Sequence, residues 1–136
     1  MGVWGVGLFQ DDVAVDTRNA FDDALARGLQ PGQAADMLLA NPPRPLDDAD
    51  DGPVIRLALA ALLLREGALR NDVRDEAARA IASRAAYARW EEAPNAMRMA
   101  RERVLERFSA LLTAGAATPD KLQAVTEPQF RRGGQS

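Results

Sequence analysis

Four side chains on one prospective helix, Asp12, Asp16, Asn19 and Asp23, stand at i, i+4, i+7 and i+11, with Asp11 and Asp22 beside them. At 3.6 residues per turn that spacing puts all four on one face. Such a face offers hard oxygen donors of the kind magnesium and calcium take, and Asp11, Asp12 and Asp16 are the three placed to hold an ion, with Glu91 or Glu92 joining through the fold. The same face also works as a solvated acidic stripe, its first members favoured by the positive end of the helix dipole, or as the contact surface for a basic protein. A single helix face does not surround an ion, and no second carboxylate-rich helix follows. The metal reading is therefore the alternative, and no resident metal or other cofactor is expected.

Three further patterns are weaker. Asp47 to Gly52 imitates a calcium loop, but with Gly52 in sixth place Ala49 falls third and Ala58 twelfth, where ligands belong. These acids read as a charge run flanking a helix. The opening glycines, Gly2, Gly5 and Gly7, have the wrong order for a dinucleotide loop and follow no strand. Arg98, Arg101, Arg103 and Arg107, with Arg131 and Arg132, suggest phosphate contact. Interleaved Glu102 and Glu106 and a net charge of −3 argue against nucleic acid, so these arginines are expected to face water or the acids of the first half.

What is missing restricts the chemistry further. The chain has no histidine and no cysteine, which removes imidazole bases, the commonest zinc ligands, thiolate nucleophiles and disulfides. Lys121 is the single lysine. With 136 residues, 47% of them hydrophobic and 27% charged, one globular domain is expected, with no membrane span and a cytoplasmic location. Val6 occupies the position where a myristoylation signal wants Ser or Thr. Charge is uneven: ten acidic residues against three basic through Gly52, and ten against fourteen from Pro53 onward.

The elements that must carry these residues read as helices. Val13, Thr17, Ala20, Phe21, Ala24 and Leu25 form an apolar stripe over about 12–27, stopped by Gly28. A short helix spans about 31–39, ended by prolines 42, 43 and 45. The segment 53–66, with Pro53 at its first turn, is apolar nearly all round and is taken as the central helix. Arg56 near its start needs a carboxylate partner if buried. A fourth helix begins near Asn71, and Tyr87 and Trp90 follow as an aromatic anchor. The fifth, about 95–114, turns Met97, Ala100, Val104, Phe108, Leu111 and Leu112 inward and its arginines outward. The fold class is all-α: a small bundle of about five helices in a single domain, 1–114, with an extended glycine-rich N-terminal arm. Residues 115–136 are expected to be a mobile tail. Glycines in the arm let backbone approach a helix while Trp4 and Phe9 fill pockets between helices.

The stretches "MGVWGVGLFQDDVAVD", "DDGPVIRLALAALLLREGAL" and "YARWEE" together resemble domain-of-unknown-function family 4259, a family of small bacterial proteins, over residues 1 to roughly 112. Gln10 stands where that pattern carries aspartate, and Arg56 where it carries an aromatic residue. The resemblance implies a bacterial cytosolic protein of mostly helical fold and brings no activity with it. From the residues themselves, the expected function is a non-catalytic protein-binding domain, immunity- or antitoxin-like, with Asp12, Asp16, Asn19 and Asp23 as its surface. The alternative is a divalent-metal-binding protein or metal-dependent hydrolase.

Overall fold

Val54, Ile55, Leu57, Leu59, Leu62, Leu63 and Leu64 point in every direction around one helix, and all are buried. In the computed structural model, which describes residues 5–128 apart from the side chains of Ala88 and Arg89, this helix is α3, Asp51–Arg65. Each such side chain contributes roughly 1.5–3 kcal/mol when removed from water, so the rest of the chain is organised by the need to cover α3 on all sides. Cover comes from α1 (Asp12–Ala26), α2 (Pro31–Ala40), α4 (Asn71–Ala82), a 3-10 segment (Ala85–Trp90) and α6 (Pro119–Thr126). Helix α5 (Asn95–Ala114) packs on α4, the 3-10 segment and α6. The described residues are all-helical, a small bundle without a strand.

Helix α3 starts two residues before Pro53. Asp48 accounts for the difference: its carboxylate accepts the backbone N–H groups of Asp50 and Asp51, each at 2.8 Å, and so caps the entering chain. Gly52 is buried in this first turn, where a Cβ would collide with the Leu46 carbonyl oxygen. The Gly-Pro-Val motif therefore marks a place where the connector crosses the helix at backbone contact.

Two expectations about the ends of the chain are corrected. Residues 5–10 are bends and turns, not an extended arm. The segment after Gly115 is not a mobile tail over its described part: Thr118 caps α6 through Lys121 N–H, Pro119 occupies the first turn, and Leu122, Val125 and Thr126 are buried. The two regions hold each other. Leu8 N–H donates to Val125 carbonyl at 2.9 Å and Phe9 N–H to Thr126 carbonyl at 2.8 Å. At Gly7 a Cβ would strike the Thr126 carbonyl and the Pro128 ring. Gln10 accepts from Gly7 N–H at 3.0 Å and donates to Pro128 carbonyl at 3.2 Å, a pair of bonds that an ionised aspartate could not make. Phe9 is buried beneath Arg18. Trp4, Arg131 and Arg132 lie outside the described residues.

Because α6 closes the core, Leu122→Ala is expected to lower unfolding free energy by about 2–4 kcal/mol in a urea titration. A tail detached from the core would leave the midpoint unchanged.

Candidate functional site

Helix α1 turns Val13, Ala14, Thr17, Phe21 and Ala24 into the core. The register that buries them leaves Asp12, Asp16, Asn19 and Asp23 exposed together. Asp12 and Asn19 have no hydrogen-bond or ion-pair partner among the described residues, Asp16 reaches Arg44 only at 3.9 Å, and Asp23 pairs with Arg27 one turn on at 2.9 Å. Asp22, on the flank, is drawn away to Arg65 at 2.6 Å. Arg65 also bonds Glu66 at 2.8 Å, and these two carboxylates raise its pKa against the opposing effect of partial burial.

Asp11 does not belong to this face. It is 2% exposed and accepts the Val13 N–H at 2.8 Å as the cap of α1. Asp12 and Asp16 point to solvent instead, and Glu91 and Glu92 are exposed at the turn before α5. Among the described residues, no three acidic side chains converge in a way that could hold a metal ion.

Arg101, expected on the outer face of α5, is 2% exposed. Its guanidinium donates to the Val6 carbonyl at 2.9 Å and the Ala86 carbonyl at 3.1 Å, and lies 4.0 Å from the centre of the Trp90 ring. Trp90 is itself buried. The reason lies in the neighbours: the leader and the 3-10 segment are irregular, so their inward carbonyls have no helix ladder to satisfy them, and a five-donor side chain supplies what is missing. Asp11 and Arg101 line the same small pocket beneath the leader, with Val54, Leu57 and Trp90, so the buried positive and negative charges share one desolvated region. Met97, expected inside, is 39% exposed: it lies in the first turn of α5, where residues 94–99 are all exposed and the buried stripe begins only at Arg101.

Two arginine nodes organise the other side of the molecule. Arg56 meets Glu76 at 3.7 Å, and Glu76 also binds Arg79 at 2.6 Å, over a cavity of about 370 Å³ floored by Leu39, Leu59 and Val73. Arg70 joins Asp36 on α2 to Asp72 on α4, each at 2.7 Å, and donates to the Gly32 carbonyl. The hydrogen bond from Arg70 holds the Asp72 carboxyl below its ordinary pKa. Asp72, Asp75 and Glu76 line this cavity with Arg56 and Arg79, and each of these acids is ion-paired to an arginine.

No family model, curated protein or solved structure matches the chain. Among the described residues, no helix is long and apolar enough to cross a membrane.

Arg101→Ala is expected to cost about 3–5 kcal/mol by urea denaturation, since it strands two carbonyls and opens a void. Arg101→Met restores volume without donors and should recover only part of that loss. The lowered folded-state pKa of Asp72 means that its ion pair adds stability above the unfolded carboxyl pKa near about 4, lost as pH falls through the lower folded value. For this exposed pair, wild type should exceed Asp72→Asn by about 0.2–1 kcal/mol at pH 7, the two curves converging in acid.

Proposed function

We propose that the chain is a non-catalytic protein-binding domain, immunity- or antitoxin-like, that engages a basic protein through the acidic face of α1. One observation carries this reading: Asp12, Asp16, Asn19 and Asp23 lie exposed on a single face, with Asp12 in no ion pair among the described residues, Asp16 meeting Arg44 only at 3.9 Å and Asp23 paired within its own helix. The helix behind them is fixed by its buried stripe, so the charges are presented at set spacing and little ordering cost accompanies contact. A pre-positioned acidic row accelerates encounter with a basic partner and disfavours acidic ones. The absence of histidine and cysteine weighs in the same direction. The resemblance to family 4259 supports a bacterial setting for this activity.

Asp12→Lys combined with Asp16→Lys is expected to reduce recovery of a basic partner in affinity capture from the native host by about tenfold, with helical content retained by circular dichroism. Undiminished recovery would refute the assignment of this face. Calorimetric titration of the wild-type chain with magnesium, manganese and calcium tests the metal alternative, and saturable heat abolished by the same double substitution would displace the binding-domain reading.

A further inference from the structure

Most charged side chains of this molecule are engaged with one another. Arg18, Arg27, Arg44, Arg56, Arg65, Arg70, Arg74, Arg79 and Arg84 all form ion pairs. Arg98 lacks an acidic partner among the described residues, but it bonds the Glu91 carbonyl and the Asn95 side chain. Arg103, Arg107 and Lys121, all exposed, have no side-chain partner among the described residues, and they lie near one another. Arg103 and Arg107 stand one turn apart on α5, and Arg107 and Lys121 flank a groove of about 290 Å³ between α5 and α6, floored by Ala110, Leu111 and Ala124.

We infer that this groove is a second interaction surface, and that it takes an acidic amphipathic helix. The small side chains at 110 and 124 leave room for apolar residues spaced i and i+4 on an incoming helix, the usual way a helix is read by a groove. Carboxylates flanking those residues then meet Arg103, Arg107 and Lys121, which have no acidic partner among the described residues. Among the described residues the groove is flanked by three cations with no aromatic side chain in its lining, fewer than the basic cluster that holds a protein on an anionic membrane. A second copy of this chain offers acids on α1, but the apolar side of α1 is buried in its own core. The surface is separate from the α1 face and does not depend on it.

The test uses the full chain, isotopically labelled, titrated with a synthetic helix of about 18 residues carrying leucines at i, i+4 and i+7 and glutamates beside them. A second peptide replaces every glutamate by lysine, and phosphatidylglycerol vesicles form a third arm. Saturable micromolar binding of the acidic peptide is expected, with amide shifts centred on Ala110, Leu111 and Ala124, weakening as salt rises. Arg107→Glu with Lys121→Glu should weaken it at least about tenfold, and Ala124→Trp should abolish it with the charges intact; both sites are exposed, and melting curves confirm the fold. Asp12→Lys with Asp16→Lys should leave it unchanged, so this result stands or falls apart from the α1 reading. Equal binding of the lysine peptide, shifts on other helices, preference for vesicles, self-association through this groove, or no saturable binding would each overturn the inference.

Discussion

A helix that is apolar on every side has no face to give to water, and α3 is such a helix. Once it forms, the chain must cover it completely, and five other elements pack directly on it. The amphipathic helices α1, α2 and α4 do this with ordinary stripes. Cover near Val54 and Leu57 comes instead from irregular backbone, because the leader and the 3-10 segment close that end. Irregular cover introduces a second constraint, since backbone carbonyls brought against a core still require donors.

Arg101 answers that second constraint. It reaches the leader and the 3-10 segment from α5 at once, and its plane rests on Trp90. Arginine suits the position because its fork gives several donors in fixed directions and its charge is weakly hydrated. Asp11 brings the opposite charge into the same pocket while capping α1. The polar centre of this protein is thus architectural.

Much of this was legible in the residues. The stripe of α1, the apolar ring of α3, the stop at Gly115 and the shared face of Asp12, Asp16, Asn19 and Asp23 all follow from helical period and capping chemistry. Three features were not. Arg101 lies in register with Leu105, Phe108 and Leu112, a core pattern, but charge suggested exposure, and the carbonyls that need it belong to segments far away in sequence. Helix α6 is only eight residues long, too short for periodicity, although Thr118-Pro119 marks its start. The isolation of Arg103, Arg107 and Lys121 depends on which acids folding brings near each arginine, and no local pattern encodes that.

The clasp between the leader and α6 also sets an order of events in the making of the protein. Gln10 and its acceptor at Pro128 are separated by 118 residues, and Leu8 waits equally for Val125. At ribosomal speeds the leader is made on the order of ten seconds before its counterpart exists. During that interval the backbone partners of Leu8 and Phe9 do not exist, so the nascent chain carries an apolar, unclasped leader until α6 emerges to receive it.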